Sequence, residues 1–339
     1  MKKKLLPIIK QNRFYNPCGG CEPESLFRDT IPFLFKSIAA RLQYAEHDAE
    51  AWIDRSNPLL ESDEVRITWI GHATFLIQGA GVNILTDPIF YNISPLFPRL
   101  LPPGINLDQL PRIDYVLISH NHFDHMHAPS LHAIKKRNPN VCVLVPRGDK
   151  SWFVRNGFSQ AFEYSWWDIH YGGMSTFHFL PAVHWSRRGL FDKNRSLWGS
   201  WLIELNGKKI YFAGDTSYGE HFSHIGDSFD IDIALMPIGP SEPEKSMVHS
   251  HLIGAQSVRS FNELNANHFV PMHWGTFIFG SDHFDAPINN IKQEWQLASL
   301  ADKQLHIIKV GQPLLFDVPT DSVLLPHGVS NIKQPTQEV

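Results

Sequence analysis

The chain has 339 residues, a formal net charge of −4 from 30 basic and 34 acidic side chains, and 43% hydrophobic residues. That composition supports one large core and excludes the overall basic field that nucleic-acid binding uses. Three cysteines, Cys18, Cys21 and Cys142, cannot build a disulfide framework, which fits a reducing compartment.

The chain opens Met1-Lys2-Lys3-Lys4-Leu5-Leu6-Pro7-Ile8-Ile9-Lys10. Its apolar stretch is interrupted by Pro7 and closed by Lys10, too short for the core of a secretory signal. Nor does a later stretch reach the roughly twenty apolar residues of a membrane-spanning helix. A cytoplasmic protein is expected, at most peripheral to a membrane. Cys18-Gly19-Gly20-Cys21 lacks a second pair, so two ordinary thiols are expected there rather than a redox or metal pair, and Cys142 is expected in the core. Between Ser25 and Leu42 apolar residues recur at partly helical spacing. A helix packed on the main body is the expectation, with a membrane-facing amphipathic helix carrying Arg28, Lys36 and Arg41 as the alternative. Residues 1–60 are read as an N-terminal extension packing on the core.

From Val65 the pattern changes to short β-rich runs at 65–70, 74–78, 82–86, 115–119 and 141–145, with a helical stretch at 129–137 before the last. A second series follows at 176–180, 197–205, 209–213, 233–237 and 268–272, with helical candidates at 252–264 and 288–300. Strands then helices, twice over, predict an α/β domain over 61–325 with two sheets face to face and helices outside. Residues 326–339, rich in Pro and Gln, read as a loose tail.

Where the run 115–119 ends, the chain reads Ser119-His120-Asn121-His122-Phe123-Asp124-His125. Imidazole nitrogens and carboxylate oxygens are ligands suited to zinc and related divalent ions. In a turn, His120 and His122 can converge on one ion while Asp124 and His125 swing toward a second. A helix would separate them, because residues i and i+2 do not share a helical face.

His120-X-His122-X-Asp124-His125 resembles the signature of the metallo-β-lactamase-fold hydrolases. Trp69-Ile70-Gly71-His72-Ala73-Thr74, Leu85-Thr86-Asp87-Pro88, Pro102-Pro103-Gly104-Ile105 and Leu117-Ile118-Ser119-His120-Asn121-His122 resemble the branch of N-acyl-phosphatidylethanolamine phospholipase D and its bacterial relatives. The resemblance runs from about Val65 to His283 and implies a four-layer αββα sandwich. It also implies two divalent metal ions, zinc being expected with iron or manganese as alternatives. By resemblance His120, His122 and His184 hold one ion, Asp124, His125 and His273 the other, and Asp215 bridges both. His184, Asp215 and His273 each stand where a strand-like run ends.

A bridging aspartate, where zinc β-lactamases typically carry a cysteine or a different metal set, resembles the phosphoesterase-type centres. Two ions can then hold a bridging hydroxide and clamp the oxygens of a phosphodiester. Asp124 and His251 are the expected catalytic residues, with His251 matching a substrate-contacting histidine of the phospholipase branch and His249 as an added donor. Asp87 is expected to orient a ligand histidine, and His72 and His127 to be structural or solvated. Arg187 and Arg188 are candidates to meet a phosphate. The apolar loop 90–101 suits a groove for acyl chains, a membrane contact or a packed lid. The expected substrate is a phosphodiester or phospholipid of the N-acyl-phosphatidylethanolamine type, and a homodimer is implied by the resemblance alone. Alternatives are a sugar-phosphate lactonase, a small cyclic phosphodiesterase, a di-iron oxidoreductase or a non-catalytic metal-binding protein.

Overall fold

A short hairpin, β1 (Ile8–Lys10) and β2 (Arg13–Tyr15), precedes two seven-stranded sheets in the computed structural model. It describes residues 4–17, 35–39, 49–55, 64–241, 249–279 and 283–317. The first sheet takes β3 (Val65–Gly71), β4 (Thr74–Gly79), β5 (Val82–Thr86), β6 (Tyr115–Leu117), β7 (Cys142–Pro146) and β8 (Gln160–Tyr164). The second takes β9 (Ile169–Tyr171), β10 (Ser175–Leu180), β11 (Ser200–Leu205), β12 (Lys208–Phe212), β13 (Ile233–Pro237), β14 (His268–Met272) and β15 (Gln304–Leu305). The last strand, β16 (Pro313–Phe316), returns to pair with β3, giving orders β16-β3-β4-β5-β6-β7-β8 and β15-β14-β13-β12-β11-β10-β9.

Each sheet is half antiparallel and half parallel. β16 to β5 and β9 to β12 pair antiparallel, and the remaining strands pair parallel. Parallel pairs need crossovers, and helices supply most of them. α1 (Ala128–Arg137) and α2 (Lys150–Arg155) serve the first sheet, and α3 (His221–Gly226), α4 (Gly254–Leu264) and α5 (Ala286–Ala298) serve the second. One core cluster joins the facing sides of both sheets, with Trp69, Phe75 and Leu144 against Phe177, Trp201 and Phe212. A separate cluster places Leu131 and Ile134 of α1 on Val116, Val143 and Leu76 at the outer face of the first sheet. These are the layers of an αββα sandwich. Strands buried on both faces explain why β6, β7 and β13 read as continuous apolar runs rather than alternating ones.

Two predicted strands are shorter in the structure, for a reason that matters to function. β6 stops at Leu117 because the Ser119 N–H turns to Asp87 Oδ1 at 2.7 Å instead of continuing the ladder. β11 starts at Ser200 because the residues before it leave their sheet. Leu197 N donates to Arg147 O and Gly199 N to Ser119 O, at 2.8 and 3.0 Å. The strands β8, β9, β15 and β16 and the helices α2 and α3 were not anticipated by pattern. Of the expected helix 25–42, residues 35–39 are described and helical; Cys18, Cys21 and the tail 326–339 lie outside the described residues. Where it is described, the N-terminal part touches the body: Phe14 N donates to Asn194 O at 2.8 Å and Trp167 Nε1 to Leu5 O at 2.7 Å.

Candidate metal centre

The polar side chains of the predicted centre converge on one edge of the sandwich, where strands of both sheets end. His120, His122, Asp124 and His125 follow β6, His184 follows β10, Asp215 follows β12 and His273 follows β14. Ligands outside the carboxyl ends of parallel strands are the general rule for such sheets. The close approach of the loops depends on Gly214, whose φ is +59°; a Cβ there would lie 2.5 Å from Ser119 Cβ. A glycine beside Asp215 therefore lets the loops of the two sheets meet.

His120, His122 and His184 form one group. His122 Nδ1 lies 2.9 Å from His120 Nε2 and 3.2 Å from His184 Nε2, three imidazole nitrogens aimed at one point. Their outer contacts fix which nitrogen faces inward. His184 Nδ1 donates to Ser250 O at 2.9 Å, so its Nε2 carries the lone pair. His120 Nδ1 meets Ser119 Oγ at 2.9 Å, and that hydroxyl in turn meets Asp87 Oδ2 at 2.5 Å.

Asp124, His125, His273 and His72 form a second group. His125 Nδ1 donates to Asp87 Oδ2 at 2.8 Å, leaving Nε2 directed at the centre. Asp87 thus faces the outer side of His125, the orienting position expected for it, although its oxygens also lie close enough to His120 and His125 to be grouped with them. Asp215 stands between the groups. Its Oδ2 is 3.1 Å from His125 Nε2 and 3.9 Å from both His120 Nε2 and His184 Nε2, and its Oδ1 is 3.2 Å from His273 Nε2. His251 joins from the loop before α4, with Nδ1 3.8 Å from Asp215 Oδ2.

The donor set fits divalent ions. Among buried polar atoms without a hydrogen-bond partner are His125 Nε2, His251 Nδ1, His273 Nε2 and Asp215 Oδ1, all around one carboxylate. Buried polar atoms are rarely left unpaired, and imidazole and carboxylate atoms converging in this way suit zinc or a similar cation. Charge agrees with this. Burial, followed by the neighbouring imidazoles, holds His120 well below the usual histidine range, and burial takes His122, His184, His251 and His72 down to about 3. Against the opposing effect of burial, His125 and its neighbours hold Asp124 and Asp215 well below the usual carboxylate range. Neutral imidazoles and ionised carboxylates are the forms that bind metal. His125 departs from this pattern: against the opposing effect of burial, Asp215 and Asp124 hold it well above the usual histidine range, so an ion bound there has to displace its proton.

Several residues take places that the sequence did not announce. His72 is buried in the turn between β3 and β4 at φ +54°, its Nε2 3.0 Å from Asp124 Oδ2 and its ring 4.1 Å from that of His273. Its position after Gly71 in a tight turn was the available signal. Asn16 donates to His184 O at 3.0 Å and accepts from Trp198 Nε1 at 3.1 Å; a lone asparagine in the N-terminal part carries no signal for this. Trp185 packs its ring 4.3 Å from that of His122. Arg188, a candidate to meet a phosphate, braces the metal loop: Nη1 donates to Asn121 O at 3.0 Å and Met126 O at 2.7 Å. Arg187 and His249 are exposed, and His127 is buried with Nδ1 2.8 Å from Ser130 Oγ. The loop 90–101 is packed through Arg99, which donates to Ile89 O and Leu101 O. Phe97 of that loop stacks toward Phe279, itself beside His72 and His273.

Comparison with known proteins agrees with the geometry. Residues 82–274 match the family described as the β-lactamase superfamily domain. The chain is 31% identical over 243 residues to an N-acyl-phosphatidylethanolamine-hydrolysing phospholipase D of Caenorhabditis elegans, covering 67% of this chain and 68% of that protein. It is 33% identical over 242 residues to a mitochondrial N-acyl-phosphatidylethanolamine-hydrolysing phospholipase D of Saccharomyces cerevisiae, covering 67% of this chain and 52%, about half, of the yeast protein. The solved structure of a metallo hydrolase from the archaeon Ignicoccus hospitalis shares the fold, with a TM-score of 0.58 at 23% identity, over 75% of this chain and 99% of that one. Fold and site together define a metal-dependent hydrolase of the metallo-β-lactamase fold. The chain belongs to the β-lactamase superfamily, in the branch of N-acyl-phosphatidylethanolamine phospholipase D and its relatives.

Proposed function

We propose that the protein is a dinuclear phosphodiesterase of phospholipase D type acting on N-acyl-phosphatidylethanolamine-like lipids. The observation that carries this reading is the position of Asp215, whose carboxylate faces histidines of both groups within 3.1 to 3.9 Å. We assign His120, His122 and His184 to one divalent ion, Asp124, His125 and His273 to the other, and Asp215 to both. Zinc suits this imidazole-rich set, and iron or manganese would also fit it. When bound, such a pair activates water and neutralises charge on the oxygens of a phosphodiester.

The chain's own residues then position and exclude. Ser119, Asp87 and the Ser250 carbonyl hold three imidazoles with the correct nitrogen inward. His72 steadies Asp124 through the 3.0 Å contact. His251, kept neutral by burial, offers a hydrogen bond to the oxygen that leaves with the N-acylethanolamine, directly or through a water. Phe97 and Phe279 supply an apolar wall beside the second group, suited to acyl chains. In the net reaction the oxygen of water bonds to phosphorus, the bond from phosphorus to the ethanolamine oxygen breaks, and that oxygen takes a proton.

Hydrolysis of N-acyl-phosphatidylethanolamine in ¹⁸O-labelled water tests the reading. Label is expected in phosphatidic acid and not in the N-acylethanolamine; an unreacted lipid, or label in a fatty acid, would overturn it. His251→Ala is expected to lower turnover by about 10²-fold or more with metal content unchanged. Loss of metal from that variant would instead make His251 a ligand.

A further inference from the structure

Leu190 and Phe191 are the most exposed large hydrophobic side chains among the described residues, at 89% and 83%. They are consecutive, and they sit at the tip of the loop that follows the candidate ligand His184. Single exposed apolar residues need no explanation, but two adjacent ones held fully in water do.

The loop is held open by its own bonds. Asn194 N donates to Ser186 O and Arg195 N to Asp192 O, at 2.8 and 3.0 Å, and the Asp192 carboxylate accepts from the Arg188 and Gly189 N–H groups. From the N-terminal hairpin, Arg13 donates to the carbonyls of Phe191 and Lys193. From below, Arg188 ties the base of the loop to Asn121 O and Met126 O of the metal loop. Its guanidinium lies 4.7 Å from the ring of Phe123, which is also exposed. The tip is therefore displayed by a braced scaffold rather than left over from a loose one.

Its charge is as uneven as its hydropathy. Residues 185–195 hold four cations, Arg187, Arg188, Lys193 and Arg195, against one carboxylate, Asp192, in a chain whose formal net charge is −4. Arg187 and Arg195 are exposed, and Lys193 Nζ lies 4.9 Å from the centroid of Trp185. An apolar tip above a tryptophan and a collar of cations matches the interface of a bilayer with anionic headgroups. A tip of two side chains is too small for a stable protein interface, which buries on the order of 1,200 Å² or more, whereas a fluid bilayer demands no shape match.

We propose that the tip Leu190–Phe191 with its surrounding cations inserts into an anionic membrane surface and so sets the mouth of the metal centre against lipid. The path from tip to centre is short: Trp185, beside Lys193 and Arg187, packs on the ring of His122. The inference rests on the phosphodiesterase reading only for the benefit of lying against lipid; the binding itself does not need it.

The test is co-sedimentation of the full chain with vesicles of phosphatidylcholine alone and of phosphatidylcholine with phosphatidylglycerol, neither holding any N-acyl-phosphatidylethanolamine. The wild type is expected to bind the anionic vesicles and to release them at high salt. The variant with Leu190→Ser and Phe191→Ser is expected to lose at least about 10-fold in partitioning, and Arg187→Gln with Arg195→Gln to lose the preference for anionic lipid. Hydrolysis of soluble bis(p-nitrophenyl) phosphate should be unchanged by the serine variant, which also checks that it folds. Equal binding by wild type and serine variant, no vesicle binding by the wild type, or a tip-dependent self-association seen by sedimentation equilibrium would each overturn the proposal. Vesicle binding without phosphodiester turnover would keep it and sink the phosphodiesterase reading instead.

Discussion

In the group of His120, His122 and His184, two imidazoles have their outer nitrogens tied at 2.9 Å, to Ser119 Oγ and to Ser250 O, and Asn16 holds the His184 carbonyl as well. In the second group His125 and Asp124 are tied to Asp87 and His72, but His273 has no hydrogen bond at its outer nitrogen, Nδ1, and stands on a backbone with φ +61°. The third imidazole of the first group, His122, also has a buried outer nitrogen without a bond, Nε2, but its ring is packed 4.3 Å from that of Trp185. Each group thus leaves one imidazole without a tie at its outer nitrogen, and of these two only His273, in the second group, also stands on left-handed backbone. The difference predicts unequal ions: the one held by the second group should exchange and strip first under chelation.

Four substitutions break or sharpen that comparison. Asp215→Asn removes the charge shared by both groups and should lower phosphodiester turnover by on the order of 10³-fold, more than the roughly 10–100-fold that losing an orienting partner costs. Turnover within a few-fold of the wild type would mean that the carboxylate is not shared. Asp87→Asn weakens the hold on His125 and, through Ser119, on His120. Metal affinity by chelator competition should drop about 10–100-fold, and further for the second group than for the first.

Arg188→Met removes the strap between the loop after His184 and the metal loop. The cost to stability should be about 1.5–3 kcal/mol, the range for a hydrogen bond from a charged group, seen in urea melts. Loss of metal should fall on the first group, because Arg188 joins the two loops that carry it; Arg188→Lys should recover part of both.

The smallest effect on the centre is expected at Asp149, which lies behind the metal loop and accepts from Asn121 Nδ2 at 3.0 Å and Ser196 Oγ at 2.7 Å. Burial lifts its carboxyl to about 7 against the lowering effect of those bonds. The folded chain keeps this proton where the unfolded chain has already lost it, so this contribution to stability is full below about pH 4 and declines as pH rises toward 7. Asp149→Asn should therefore melt higher than the wild type near about pH 8 and converge with it near about pH 4. A constant difference across pH would remove the buried carboxyl as its cause.

Much of the centre was legible because its residues are chemically conspicuous and fall at strand ends. His120, His122, Asp124 and His125 sit in one turn, and His184, Asp215 and His273 follow recognisable β runs, so the resemblance could be mapped residue by residue. The strands with strong apolar runs were equally plain. What escaped were partners whose role is set by tertiary position alone. Asn16 reaches His184 across 168 positions of sequence, Trp185 is one aromatic among many, and Arg188 looks like any loop arginine until Asn121 O and Met126 O are seen beneath it. β16 was hidden for a related reason: Pro313-Leu314-Leu315-Phe316 is too short to announce a strand, and it forms one by pairing with β3.

The central claim is that these side chains hold two ions joined by Asp215, and metal content per chain tests it most directly. Purified wild type, His120→Ala and His273→Ala would be compared by inductively coupled plasma mass spectrometry after equilibration with zinc. Two ions per wild-type chain, with about one retained in each variant, is the predicted result. A single ion in the wild type would contradict the dinuclear centre, and two ions retained by His273→Ala would contradict the place given to His273 in it.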